Sequence, residues 1–177
     1  MSVSECKGSL DATLGLTDVG AAALAYHYAY TIPAAATSGT DSAGVDGQVF
    51  TSAIDIPANC TLTGLSYLIG SVGGTDKAIA MLFDSAGTLL ANSATAGVTV
   101  GSAATMQRLP FTAPVAIEGP GRYFVGIQYN GNTAKIRTQV WGDHPTAIDA
   151  QTFGVPANLG AVPTTFTTAY GPTVMTY

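Results

Sequence analysis

Large apolar side chains recur at every second position through most of this 177-residue chain, and turn-forming residues separate the runs. Successive side chains of a β-strand point to opposite faces, so a period of two is typical of strands. The runs predict strands at 48–56, 61–69, 78–83, 88–91, 106–111, 115–117, 122–129, 135–141, 164–168 and 173–177. We expect eight to ten strands in the sandwich and no helix.

The run 78–83 differs from the others because its residues, AIAMLF, are apolar on both faces. A strand of this composition is expected to be buried on both sides. Asp84-Ser85-Ala86-Gly87 follows it and predicts a tight turn. The Asp side chain can accept hydrogen bonds from the backbone just after it, and Gly tolerates a positive φ.

Several short segments are predicted to interrupt the strands. Pro110 indicates a strand edge or bulge, and Asn130-Gly131 indicates a type I′ turn or part of a slightly longer loop with Asn132. The segments 37–47 and 142–163 read as a loop and as a long irregular excursion with a functional role. The fold class is therefore all-β, an antiparallel, jelly-roll-like β-sandwich over residues 34–177.

Residues 1–33 are predicted to form an N-terminal arm that ends in one further strand. Five large side chains alternate with small ones there and share one face: Leu24, Tyr26, Tyr28, Tyr30 and Ile32. Inside the sandwich these side chains would be core. On the outside they would form a stripe suited to binding another protein, because tyrosine offers a large contact area with a polar tip. We take them as the candidate partner-binding residues.

Charge limits the classes of partner. Charged residues make up 10% of the chain, the net charge is −5, and only six Lys and Arg are present. Nucleic acids and anionic membranes bind clustered cations, so neither is an expected partner. The first residues lack the pattern of a secretory leader, so we expect synthesis in a cytoplasm, with Cys6 and Cys60 as thiols.

Candidate chemistry is sparse. The two imidazoles, His27 and His144, have no catalytic partner at a recognisable spacing, and no G-x-S-x-G sequence is present. We therefore expect no enzymatic activity and no cofactor. The Cys and His residues are too scattered for a metal site, and Asp41 and Asp46 in one loop are weak calcium candidates.

Aromatic and polar residues near the predicted long excursion form a second candidate contact. Tyr129 and Trp141 end predicted strands, and His144 follows in the loop. A ring can stack on a sugar or pack against a partner protein, so these three residues are candidates for glycan or partner contact.

Four segments carry a family resemblance. They are LFDSAGTLLANS (82–93), LPFTAPVAIEGPGRYFVGIQYNG (109–131), KIRTQVWG (135–142) and TTFTTAYGP (164–172). In these segments the chain resembles a β-sandwich family encoded among the structural genes of tailed bacteriophages. Residues 1–47 have no counterpart in the resemblance.

The resemblance implies a non-enzymatic virion protein that decorates or cements a bacteriophage capsid. Its expected partners are the major capsid protein or neighbouring virion subunits, including further copies of itself. Its expected location is the capsid surface after synthesis in the host cytoplasm. Sugar-binding jelly rolls carry similar hairpins, so a carbohydrate-binding module for glycan attachment is the alternative.

Overall fold

The computed structural model describes residues 39–140 and 144–177, which form twelve β-strands and no helix. The strands are β1 Thr40–Ala43, β2 Gln48–Ile56, β3 Cys60–Leu68, β4 Lys77–Phe83, β5 Leu89–Asn92, β6 Val98–Thr99, β7 Met106–Ile117, β8 Gly121–Tyr129, β9 Lys135–Gln139, β10 Thr146–Ala150, β11 Gly171–Pro172 and β12 Val174–Thr176. Every pairing between them is antiparallel. The predicted all-β class is confirmed. The arm 1–33 and its boundary lie outside the described residues.

The strands form one large and two small sheets. The main sheet has the order β10-β2-β8-β4-β5, with β6 also paired to β4. The small sheets are β1-β9-β11 and β12-β3-β7, and Thr173 links β11 to β12. Its amide donates to Arg137 O at 3.0 Å, and its carbonyl accepts from the Leu68 amide at 2.9 Å. The two small sheets therefore join into a single layer, called the composite layer below.

The inner core lies between the main sheet and the composite layer. The main sheet contributes alternate residues of its central strands: Phe50, Ile54, Ile56, Ala78, Ala80, Leu82, Val125, Ile127 and Tyr129. The composite layer contributes Leu62, Leu65, Tyr67, Ile69, Leu109, Phe111, Ile117, Ile136 and Val174. Two sheets that bury one face each against the other make a β-sandwich.

The main sheet also buries its other face. Val49, Ala53, Ile79, Met81, Phe83 and Phe124 form a second apolar cluster there, and Leu89, Phe153, Leu159 and Val162 pack against it. Three of those covering residues come from the long excursion. The sequence predicted that the strand 78–83 is buried on both faces, and this prediction is confirmed.

The turn after β4 has the predicted chemistry. Asp84 Oδ1 accepts hydrogen bonds from the amides of Ala86 at 2.9 Å and Thr88 at 2.8 Å. These bonds lower the pKa of the Asp84 carboxyl. Gly87 has a φ of +84°, as the turn requires. The turn was therefore correctly predicted from four residues.

The type I′ turn predicted at Asn130-Gly131 is wrong, and the alternative of a longer loop that includes Asn132 is confirmed, because residues 130–134 separate β8 from β9. β8 pairs with β2 and β4, whereas β9 pairs with β1 and β11, so this segment crosses between layers. Neither residue has a positive φ, which a type I′ turn needs. Glycine is required here by space, because a Cβ at Gly131 would lie 2.6 Å from Asp76 Oδ1.

Other boundaries also differ from the sequence prediction. The predicted loop 37–47 contains β1, and the predicted irregular excursion 142–163 contains β10. The predicted strand 164–168 is reduced to one bridge between Thr165 and Thr146. The prediction for Pro110 is confirmed, because it pairs with Gly64 beside a shift in the β3–β7 register.

Candidate functional site

Two exposed apolar side chains lie side by side at the end of β9, and a third belongs to the connection that leads to β11. Val140 directly follows β9 and is 49% exposed, and Tyr170 directly precedes β11 and is 40% exposed. Gly171 pairs with Gln139, which places Val140 and Tyr170 next to each other across the two strands. Phe166, 43% exposed, belongs to the same connection as Tyr170. We call Val140, Phe166 and Tyr170 the apolar patch.

Thr146 fixes the connection that carries two of these residues. Its amide donates to Thr165 O at 2.8 Å, and its hydroxyl donates to Thr168 O at 2.9 Å. Thr146 itself is buried and pairs with Ser52 of β2. The Phe166–Tyr170 connection is thereby tied to the main sheet, so the patch is displayed on a fixed support.

An ion pair lies near the C-terminal end of β2. Arg122 binds Asp55 through two parallel contacts, Nε to Oδ1 and Nη2 to Oδ2, both at 2.8 Å. The two residues are register partners on β2 and β8. Hydrogen bonding from Arg122 holds the pKa of the Asp55 carboxyl below its usual value, although partial burial opposes the shift. This carboxylate is therefore charged and already bound at neutral pH.

Two shallow, open depressions flank Arg122. One, of about 370 Å³, lies between the turn after β4 and the loop 118–123. The other, of about 460 Å³, lies against Asp55 and Pro57. Tyr123 closes the loop by donating its hydroxyl hydrogen to Glu118 O at 2.6 Å. Shallow surfaces of this kind suit contact with a macromolecule better than enclosure of a small molecule.

The structure corrects the assignment of Tyr129 as a contact residue. Its side chain is 2% exposed in the inner core. Its hydroxyl lies 3.2 Å from the Tyr67 hydroxyl and 3.4 Å from Lys135 O. A ring enclosed in this way cannot stack on a sugar or touch a partner. The sequence pattern placed Tyr129 at a strand end without showing which face it occupies.

His144 is also enclosed. It is 7% exposed, and its Nε2 lies 3.6 Å from Asp55 Oδ2, so it pairs with that carboxylate when protonated. A direct contact of His144 with a glycan is therefore disfavoured. Trp141 lies outside the described residues, as do the five predicted partner-binding residues Leu24, Tyr26, Tyr28, Tyr30 and Ile32.

The two weak calcium candidates, Asp41 and Asp46, lie in different surroundings. Asp41 lies on β1, where its Oδ1 is 3.1 Å from Arg137 Nη1 and accepts a hydrogen bond from the Ser71 amide at 3.1 Å. Asp46 lies exposed in the turn after β1. In residues 39–140 and 144–177, no group of three or more His, Cys, Asp and Glu side chains is arranged to hold a metal ion.

Sequence reasoning missed Phe166 and Tyr170. The alternation at 164–168 predicted a strand, in which half of the side chains would be buried. Only Thr165 pairs there, in a single bridge to Thr146, and the Thr146 hydroxyl instead donates to Thr168 O. Two exposed aromatic residues close together in a Thr-rich connection were the available signal.

No protein-family model matches this chain, and no curated protein matches it significantly. The described ranges hold no helix with the length and hydropathy that a bilayer span requires. The all-β fold and the surface geometry are thus the findings on which a functional proposal can rest.

Proposed function

We propose that this protein is a non-enzymatic structural component of a virion, which decorates or cements a bacteriophage capsid. The single observation that carries the proposal is the apolar patch, which presents Val140, Phe166 and Tyr170 on a hydrogen-bonded support. The resemblance of segments 82–93, 109–131, 135–142 and 164–172 to virion sandwich proteins suggests the class of partner, a neighbouring capsid subunit. The protein is expected on the capsid surface, beside further copies of itself.

Apolar contact is a suitable way for such a protein to adhere. Burial contributes about 25 cal/mol per Å² of apolar area, so a few hundred Å² contributes several kcal/mol before ordering costs. Only 10% of the residues are charged, so the surface has few ions to desolvate. A fixed β-sandwich also loses little conformational freedom when it docks.

The test is cosedimentation of the full chain with intact capsid shells, with the bound copy number per shell subunit as readout. We expect saturable binding at a fixed ratio. We expect the double variant Phe166→Ser/Tyr170→Ser to bind about tenfold more weakly, which corresponds to about 1.4 kcal/mol. Val155→Ser removes an apolar side chain that is 62% exposed outside the patch, and it should bind normally.

Two results would contradict the proposal in different ways. If the unaltered chain does not bind shells, the virion function is wrong. If the chain binds and the double variant binds equally well, the virion function stands and the patch is not the contact surface.

Carbohydrate binding is the second candidate, because two exposed rings, Phe166 and Tyr170, belong to one short connection. Exposed aromatic rings stack on the apolar faces of sugars. A glycan array probed with the full chain and with Tyr170→Ala separates the candidates. Signals that Tyr170→Ala abolishes favour the sugar function, and an array without signal above background removes it.

A further inference from the structure

Asn130 lies exposed at the start of the loop 130–134, which crosses from the main sheet to the composite layer. Its backbone amide donates to Lys77 O at 3.1 Å, and its side-chain Oδ1 accepts from the Lys77 amide at 2.7 Å. Two hydrogen bonds thereby join Asn130 to the first residue of β4. A hydrogen bond to a carbonyl oxygen stabilises the negative charge that develops there when a nucleophile attacks the carbon. The Cγ atom of Asn130 is therefore activated as an electrophile.

Gly131 supplies a nucleophile directly after this side chain. Its amide donates no hydrogen bond within residues 39–140 and 144–177. Gly131 also has no Cβ and few conformational restrictions, so its nitrogen can approach Asn130 Cγ with little steric hindrance. Attack by this nitrogen closes a five-membered ring, which is the general chemistry of an asparagine followed by glycine.

Packing fixes glycine as the residue after Asn130. A Cβ at Gly131 would lie 2.6 Å from Asp76 Oδ1 and 2.9 Å from Asp76 Cγ. The same carboxylate holds the loop, because its Oδ2 accepts hydrogen bonds from the amides of Thr133 and Ala134. The arrangement that secures the crossover thus also requires the residue that hinders attack on Asn130 least.

Asn132 lies in the same loop and is also exposed, but it differs in the residue that follows it. The amide of Thr133 donates to Asp76 Oδ2 at 2.8 Å, so this hydrogen bond must break before the nitrogen can attack Asn132. Thr133 is also β-branched, which crowds its own backbone nitrogen. The loop therefore contains an internal control for the reactivity of Asn130.

We propose that Asn130 is a self-modification site, at which the Gly131 nitrogen bonds to Asn130 Cγ and the side-chain nitrogen leaves as ammonia. The proton that the Gly131 amide loses passes through solvent to the leaving nitrogen, and a succinimide ring remains. Water then opens the ring at either carbonyl group, so the product is aspartate or isoaspartate. Asn130 Nδ2 donates no hydrogen bond within the described ranges, so departure of ammonia breaks no contact there.

The isoaspartate product alters the crossover between the layers. It inserts one additional carbon into the main chain and adds a negative charge beside the segment that Asp76 holds. Both changes disturb the junction, so the modified chain is expected to be less stable. The inference is independent of the proposed function, because no residue of the apolar patch takes part in the reaction.

The test is incubation of the full chain in mildly alkaline water labelled with heavy oxygen, followed by peptide mapping by mass spectrometry. Ring opening places labelled oxygen in the new carboxylate, so the reaction is distinguished from modification that occurred earlier. Fragmentation of the peptide separates aspartate from isoaspartate. Asn130→Gln lengthens the side chain and prevents five-membered ring closure, and Asn132→Gln is the matched control.

We expect labelled product to form at position 130 at least about tenfold faster than at position 132, equivalent to about 1.4 kcal/mol in activation free energy. Asn130→Gln should abolish this product, and Asn132→Gln should leave it unchanged. Conversion should proceed in the folded chain as well as in a urea-unfolded chain. Equal rates at positions 130 and 132, or conversion of position 130 only after unfolding, would overturn the proposal.

Discussion

Asp76 Oδ2 accepts a hydrogen bond from the backbone amide of Ala134 at 2.7 Å, across 58 positions of the chain. The same oxygen accepts from the amide of Thr133 at 2.8 Å. The carboxylate therefore holds the segment that crosses from the main sheet to the composite layer. Asp76 is 9% exposed, so water cannot easily replace it.

Asp76→Ala is expected to lower the free energy of unfolding by about 2 kcal/mol, because the buried amide of Ala134 and the less enclosed amide of Thr133 lose their acceptor. Asp76→Asn keeps an acceptor oxygen without the charge and should cost about half as much. Urea denaturation measures both values. Asp46→Ala, in an exposed turn, is the control, and an Asp76→Ala protein as stable as that control would refute this role.

Gly126 on β8 is required by packing in the second apolar cluster, on the face of the main sheet that the long excursion covers. A Cβ there would lie 2.8 Å from Val49 Cγ1 and 3.1 Å from Phe83 Cε2. Gly126→Ala is therefore expected to destabilise the protein by about 1–3 kcal/mol. Gly101→Ala, whose Cβ would meet nothing closer than 3.7 Å, should change stability little. Thermal unfolding of the two variants compares them directly, and similar melting temperatures would contradict the packing account.

The Asp55–Arg122 pair predicts a loss of stability in acid. Because the pKa of Asp55 is lower in the folded state than the usual 3.8, the unfolded state binds a proton first as the pH falls. The contribution is present above about pH 4 and disappears as the pH falls through the folded-state pKa. The pair is half-exposed, so its size is at most about 1 kcal/mol.

Chemical denaturation between about pH 2 and pH 7 measures this dependence. Asp55→Asn should be less stable than the unaltered protein at neutral pH, and the difference should shrink in acid. Asp46→Asn is the control for removal of an exposed carboxylate. A constant difference between Asp55→Asn and the unaltered protein across the range would exclude the ion pair as its cause.

Two buried tyrosines, Tyr67 and Tyr129, are expected to make the protein less stable at alkaline pH. The rings of Tyr67 and Tyr129 lie 6.0 Å apart edge to face, and Tyr67 donates its hydroxyl hydrogen to Gln107 Oε1 at 3.1 Å. Burial raises the pKa of both hydroxyls above the usual 10.0. The unfolded state therefore loses protons first, and stability falls as the pH rises above 10.

Denaturation between about pH 8 and pH 11.5 should show this decline, and Tyr67→Phe/Tyr129→Phe should make it shallower. The double variant is also expected to be less stable at pH 8, because Gln107 and Lys135 lose a donor. Tyr170→Phe, which removes an exposed hydroxyl, is the control for loss of a tyrosine hydroxyl outside the core. An unchanged alkaline slope in the double variant would contradict the prediction.

Local patterns predicted most strands, because apolar alternation and turn residues act over a few positions. β2 has the predicted bounds, and the turn after β4 follows from Asp84 and Gly87 alone. The role of Gly131 was not predictable in this way. Its space requirement comes from Asp76, which lies far away in sequence.

The candidate site was harder to predict than the fold. Tyr129 and Tyr170 have the same side chain, yet one is enclosed between sheets and the other is exposed. Which of the two applies depends on how the layers stack and on how Thr146 holds the last connection. Neither relation can be read from a window of a few residues. The scarcity of Lys and Arg, by contrast, can be read from composition alone.

The excursion that covers the main sheet has a consequence for handling of the protein. The Gln151 side-chain amide donates to Ala157 O and accepts from the Ala157 amide, and the Leu159 amide donates to Gly87 O. These bonds hold the segment 151–159 against the sheet. A protease cut there would uncover Ile79, Met81 and Phe83 together. Nicked molecules are then expected to aggregate through this exposed apolar sheet face. An intact connection is therefore expected to keep the protein soluble during storage.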